Sequence, residues 1–203
     1  MAKLKAPLLS MGATGQLGKT LVFFPWKGIN AAREYVVPAN PNTTLQQTQR
    51  GYFSDGVAMI HTAQALPADE LSAADILAYT LLANQNASPR TWFNEFVKQY
   101  ANQHVAGLKG VIFRNMVITP GANQLGVSLD WTKEGANDIT AGNFWYGTSP
   151  SALIYSEAAA VGASLTATLA GLTTGVKYYV QFRPTVHADF VGTKSGIYYD
   201  RPT

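Results

Sequence analysis

Residues 169–182, Leu-Ala-Gly-Leu-Thr-Thr-Gly-Val-Lys-Tyr-Tyr-Val-Gln-Phe, constrain the fold more than any other stretch of the chain. A glycine-containing turn stands between two apolar runs, and the second run alternates. Val176, Tyr178, Val180 and Phe182 share one side, and Lys177, Tyr179 and Gln181 the other, which is the period of a half-buried strand. Gly171 and Gly175 supply the backbone freedom of the turn, Leu172 tucks beneath it, and Tyr178 is placed to return its hydroxyl to a backbone group a few residues upstream. Leu172 and Tyr178 are therefore expected to be structural.

Six further short runs accompany it, at 113–119, 125–132, 143–147, 152–157, 165–169 and 196–200. With the strand at 176–184 they make about seven, the number and spacing expected of an antiparallel sandwich. The Leu172 to Tyr178 spacing, with a glycine in the turn and Tyr-x-Val-x-Phe after it, resembles fibronectin type III domains. The resemblance covers nearly all of residues 112–203. It implies an immunoglobulin-like sandwich in which Tyr178 opens strand F and Trp131, on strand B, is a central core residue. A fold alone names no function, and the chain has no Arg-Gly-Asp tripeptide, so the integrin-binding version of this fold is not implied.

Upstream the pattern changes. Gly12-Ala-Thr-Gly15-Gln-Leu-Gly18 has the spacing of a dinucleotide-binding loop. That loop needs a helix after it and further βαβ units. Lys19 to Gly28 is aromatic and β-branched and contains Pro25, so a glycine-rich turn leading into a strand is expected. Strands at 21–26 and 32–37, joined through 27–30, form a hairpin apolar on both faces, with Leu21 and Phe23 on one and Val22, Phe24 and Trp26 on the other. Such a hairpin is marginal alone and needs cover on both sides. Pro38 and Pro41 bracket an extended link. Thr43 or Thr44 then opens a helix through about 65, with a stripe of Leu45, Tyr52, Phe53, Val57, Ile60 and Ala63 weakened by Gly51 and Gly56. A second helix is expected from 69 or 72 to 83, capped by Ser72 with Asp75 and burying Leu71, Ala74, Leu77, Ala78, Leu81 and Leu82. A third opens at Ser88-Pro89 and carries Trp92, Phe93, Phe96, Val97 and Tyr100 on one face.

The expected architecture is an α+β N-terminal domain, a β-hairpin plus about three helices over 1–108, followed by an all-β sandwich over 109–203. The boundary is placed in Ala106-Gly-Leu-Lys-Gly110.

Val22-Phe-Phe-Pro-Trp-Lys-Gly28, the run from Arg33 through Pro38, Asn40 and Pro41 to Arg50, and the Tyr-Phe after it resemble small structural proteins of tailed bacteriophages and their prophage relatives. A Lys-Gly hairpin, an Arg-x-Tyr strand, a Pro-x-Asn-Pro-x-Thr link and a Gln-x-x-x-Arg helix recur in them. The resemblance covers roughly 8–105 and implies a virion component, made in the host cytoplasm and present in many copies or as a homo-oligomer, whose partners are a major capsid or tail protein. Phe23, Phe24, Trp26, Arg33, Tyr35, Asn40 and Arg50 are the expected assembly contacts.

Composition agrees with an assembled role. Charged residues make up 13% of the 203, against roughly a quarter in soluble domains, which suits a surface held in fixed contacts. The net charge of +3 is spread over scattered lysines and arginines, whereas nucleic-acid binders cluster theirs, so no nucleic-acid partner is expected. There is no cysteine, which removes disulfides and thiolate chemistry. No signal peptide or membrane span is expected, because Pro7 interrupts the first apolar run and no run reaches the roughly 20 residues a span needs.

No catalytic constellation, cofactor site or metal site is expected. His61, His104 and His187 lie in different elements, and His187-Ala-Asp189 reads as a solvated loop. Asp69-Glu70 is the one close carboxylate pair and begins a helix, where acids suit the dipole. Asp130 points out of its strand, with Glu134 and Asp138 in the loop after it. The remaining hint is aromatic. One of Trp145-Tyr146 and one of Tyr198-Tyr199 must face outward, and Trp145, Tyr146, Tyr198 and Tyr199 form the expected ligand patch, for a glycan or a neighbouring subunit. An adhesion module is the second reading this supports.

Overall fold

The computed structural model describes residues 2–3, 14–37, 42–67, 70–185 and 189–203. Those residues form three helices and three antiparallel four-stranded sheets. The chain divides into two compact units, Met1–Thr43 and Thr44–Thr203.

The first unit is a sheet of β1 (Ala2–Lys3), β2 (Gly15–Leu17), β3 (Leu21–Trp26) and β4 (Ile29–Glu34) in the order β1-β4-β3-β2. Lys27 and Gly28 both take positive φ, 49° and 76°, so the β3–β4 hairpin closes in two residues, as a turn matched to strand twist requires. Trp26 therefore pairs with Ile29, and β4 starts three residues earlier than the 32–37 expected. Gly15 lies in β2 and Gly18 in the turn after it, at φ 56°. A strand, not a helix, follows the glycine motif; Gly12 lies outside the described residues.

The second unit opens with α1 (Thr44–Gln64), α2 (Ala73–Asn84) and α3 (Trp92–Val105). The cap of α2 is the one expected, with the Asp75 amide donating to Ser72 Oγ at 3.2 Å and the Ser72 amide to Asp75 Oδ2 at 2.8 Å. The third helix is capped by Thr91 rather than Ser88, and the Asn94 amide donates to Thr91 Oγ1 at 3.3 Å. That start phases Phe96, Val97 and Tyr100 inward, while Trp92 and Phe93 stay half-buried. Of the expected α1 stripe, Ile60 and Ala63 are buried, but Leu45 and Phe53 are 80% and 55% exposed. Gly56, read as a weakness, is where α1 meets the Tyr100 ring: a Cβ there would stand 3.1 Å from Tyr100 Cδ1.

Then come β5 (Val111–Gly121), β6 (Gln124–Lys133), β7 (Gly142–Gly147), β8 (Tyr155–Ala158), β9 (Ala160–Val161), β10 (Leu165–Ala170), β11 (Tyr178–Pro184) and β12 (Tyr198–Asp200). They form two sheets, β5-β6-β10-β9 and β12-β11-β7-β8. Both contribute to one core. Phe113, Leu125, Val127, Leu129, Leu165 and Leu169 come from the first, and Phe144, Tyr178, Val180, Phe182 and Tyr198 from the second. The Phe182 ring lies 5.3 Å from Phe113 and 5.2 Å from Phe144. Trp131 is half-buried at the margin of this core rather than central; it stands two residues past Leu129, the last fully buried position of β6, and a side chain of that size is rarely enclosed at a strand end. Leu172 is buried and its amide donates to Asn123 O at 2.9 Å. The Thr173 amide donates to the Tyr178 hydroxyl at 3.2 Å, the upstream bond expected of that tyrosine.

The break expected at 108/109 is not where the chain divides. Helices α1 and α2 pack on β5, and α2 also on β12, so they cover the side of the sandwich where those two edge strands lie. Ala78 belongs to the sandwich core, and Ile112 and Ile197 to the helical one. The Tyr79 hydroxyl accepts from the Phe113 amide and donates to the Phe113 carbonyl, both at 3.1 Å, and the Ile197 amide donates to Ala78 O at 3.0 Å. Burial holds the Tyr79 hydroxyl well above the ordinary tyrosine pKa. A buried polar group bonded this way is costly to separate, which makes helices and sandwich one folding unit.

Candidate functional site

The N-terminal sheet places its residues by alternation and register. Directly opposed residues of an antiparallel pair share a face, so Val22 with Arg33, Phe24 with Ala31 and Trp26 with Ile29 make one surface. The Arg33 guanidinium lies 5.4 Å from the Phe24 ring centroid, and the Lys27 ammonium 5.8 Å from that of Trp26. Trp26 is 53% exposed. Phe23, expected as a contact, is buried opposite Ala32 on the other face and leaves the candidate surface. Tyr35 is half-buried just past β4, where its amide donates to Thr20 O at 2.8 Å. Arg50 is exposed on α1, in the other unit, and Asn40 lies outside the described residues. The structure thus groups Phe24, Trp26 and Arg33. The exposed Ile29, Val36 and Val37 were missed, although the Val-Val pair before Pro38 is a legible apolar signal.

A second surface is the outer face of the sheet containing β11. Alternation said that one aromatic of each pair faces out, and the register says which. Tyr198 is buried, and its hydroxyl donates to Asp75 Oδ1 at 2.6 Å, so it is no part of a surface patch. Tyr146 lies in the inward phase, half-buried against the core with its ring 5.5 Å from Tyr155; burial raises its pKa. Trp145 and Tyr199 remain. Tyr199 pairs with Tyr179 and Trp145 with Gln181, so the four share one face.

Two cations complete that face. The Lys177 ammonium sits 3.4 Å from the Tyr199 ring centroid and 5.2 Å from that of Tyr179. The Arg183 guanidinium lies 5.1 Å from the Trp145 ring, and its Nε donates to Gln181 Oε1 at 2.8 Å. The Gln181 amide in turn donates to Ser195 O at 3.1 Å, and this holds the row together. Burial lowers the pKa of Arg183. Among the described residues neither cation has a carboxylate partner. Lys177, Tyr179 and Arg183 were missed as site residues, yet the spacing 177, 179, 181, 183 contains them.

The main titratable cluster lies where α3 meets the loop after β6. Tyr100 donates its hydroxyl to Glu134 Oε1, the Gly110 amide donates to Oε2 at 2.9 Å, and His104 Nε2 approaches Oε2 to 2.9 Å without hydrogen-bond alignment. The His104 ring is flanked by Tyr52 at 5.0 Å and Tyr100 at 4.5 Å. Burial pushes the Glu134 carboxyl upward, but the bonds from Tyr100 and Gly110 and the charge of His104 outweigh it and hold its pKa below the usual value. Burial and the bond to Glu134 raise Tyr100. With both carboxylate oxygens engaged internally, the cluster acts as a clamp on Gly110.

Three further carboxylates are also engaged internally. Asp130 accepts from Asn115 Nδ2 at 2.9 Å and Ser164 Oγ at 2.5 Å. Lys133 pairs with Asp138 at 2.6 Å, and Asp189 accepts from Asn137 Nδ2 at 2.6 Å. His187 lies outside the described residues. Among the described residues no three His, Cys, Asp or Glu side chains are grouped to hold a metal, and no helix is long and apolar enough to cross a membrane.

No protein-family model matches this chain, and no curated protein matches it.

Proposed function

We propose that the chain is a non-enzymatic structural component of a tailed-phage particle, whose Met1–Thr43 sheet docks on a capsid or tail protein while the Thr44–Thr203 unit is displayed. One observation carries the reading. Among the described residues of the first unit only Phe23, Ala31 and Ala32 are buried, whereas Leu17, Trp26, Ile29, Val36 and Val37 are exposed. Three buried side chains among the described residues are few for a unit of that size without disulfides, and a partner surface would supply further burial. Lys3, Lys5, Lys19, Lys27 and Arg33 stand against Glu34 alone in this segment, so the partner surface is acidic and the docking weakens with salt.

The displayed unit reads as a fibronectin type III-like sandwich buttressed by helices. The two sheet orders, the Tyr178 bond to Thr173 and the buried Leu172 support that reading. Mass spectrometry of particles purified from a lysate producing the chain tests the assignment. The chain is expected in intact particles, and a version starting at Thr44 is expected to be missing from them; absence of the full chain overturns the reading.

A further inference from the structure

We propose that the outer face of β11, β12 and β7 is a binding site for an acidic polysaccharide. The site is the half-buried Lys177, Trp145 and Arg183 with the exposed Tyr199, set around a buried Gln181 and a Tyr179 that packs on the helical core, and it is independent of where the Met1–Thr43 sheet docks. Lys177 and Arg183 carry charge without a carboxylate partner among the described residues. Each is parked over an aromatic ring, an arrangement that holds a cation in place while leaving its donors available. The Nε of Arg183 is used by Gln181. Its two terminal nitrogens remain, and that fork matches a carboxylate with two parallel bonds.

Geometry then selects the ligand. The two cations are six residues apart on one face, roughly 20 Å at the rise of a strand, so a small anion reaches one and only an extended polyanion reaches both. A peptide would add to a sheet edge through backbone bonds, whereas this row is on a face and offers ring surface, with Tyr199 42% exposed. Single-stranded nucleic acid needs a continuous cationic groove along its phosphates, and two cations do not make one. A ribbon of acidic sugar rings fits these features: carboxylates on the ammonium and guanidinium, and ring C–H groups against the part of Tyr199 that the Lys177 ammonium leaves exposed.

The test uses the full chain and three probes, polygalacturonate, neutral dextran and poly-L-glutamate, with affinity electrophoresis for retention and calorimetry for affinity. Polygalacturonate is expected to bind in a salt-sensitive manner and dextran not to bind. Lys177→Gln and Arg183→Gln are each expected to weaken binding roughly tenfold or more, as loss of one charged contact does. Lys177→Arg and Lys98→Gln, the latter on the exposed side of α3, retain it, and unchanged melting curves show that the variants are folded. Equal affinity in the Gln variants overturns the assignment to this face. Poly-L-glutamate bound as tightly as polygalacturonate overturns the assignment to a sugar. No binding of polygalacturonate overturns both.

Discussion

The hydroxyl of Tyr198 reaches Asp75 across 123 positions of sequence and donates to its Oδ1 at 2.6 Å. The other oxygen of the same carboxylate accepts from the Ser72 amide and hydroxyl, both at 2.8 Å. One fully buried carboxylate therefore caps α2 and fastens the last strand of the sandwich to it.

Replacing Tyr198 by Phe removes a hydrogen bond to a charged acceptor and leaves that acceptor buried. The expected loss is about 2 kcal/mol. Asp75→Ala also deletes the cap, typically about 1 kcal/mol more. Urea unfolding measures both. A double variant that costs no more than Asp75→Ala alone would show that the two groups act as a single unit.

The Tyr100 ring fills the space in front of two glycines, and this gives a contrast within one core. A Cβ on Gly110 would lie 2.2 Å from Tyr100 Cε2, while Gly51 in α1 has nothing within 4 Å. Gly110→Ala should destabilise by about 2 kcal/mol or more through overpacking. Gly51→Ala should stabilise by roughly 0.5–1 kcal/mol through helix propensity. Thermal melts of the two variants, moving in opposite directions, are the expected result.

Glu134 predicts a pH dependence with a definite sign. Its pKa is lower folded than unfolded, so its contribution is complete above the unfolded value, roughly pH 4.3, and disappears as pH falls through the folded value. The stability gap between the native chain and Glu134→Gln is expected to be constant near neutrality and to close only below about pH 4. For Tyr79, Tyr100 and Tyr198 the direction is reversed, because all three are raised. Their contribution is complete below roughly pH 10, the ordinary tyrosine value, and is lost as pH climbs through the raised values. Phenolate absorbance from these three should therefore appear together with alkaline unfolding.

On the N-terminal sheet, Trp26→Asp places a charge where the proposed docking face is apolar. Particle incorporation should fall at least tenfold, about 1.4 kcal/mol, with no change in the melting of the Thr44–Thr203 unit. Co-sedimentation with purified particles measures the first and calorimetry the second. Unchanged incorporation would place the docking contacts elsewhere in the chain.

What could be read in the sequence was local. The Leu21–Trp26 strand, the Ser72–Asp75 cap and the Tyr178 turn each depend on neighbours within a few residues, and each formed as expected. The misread features depend on distant partners. Helix α2 is apolar nearly all round, so its pattern could not tell that Leu77 is 49% exposed while Asp75 is fully buried; β12, far along the chain, decides that. The same holds for the 108/109 boundary, where composition does change but Tyr79 and Ala78 cross the change to bond Phe113 and Ile197. Alternation showed that Trp145-Tyr146 and Tyr198-Tyr199 each split between two faces. Choosing the outward member required the register of β11 with β7 and β12.

The helices laid over β5 and β12 also limit how copies of this chain can associate. An uncovered strand edge is a template for another chain. Each sheet of the sandwich has one edge beside the helices and another, β9 or β8, on the far side, where every residue of both strands is exposed. Growth of the sandwich by strand pairing is thus open on that side only. Two sandwiches joined through the same edge, β8 to β8 or β9 to β9, meet about a twofold axis.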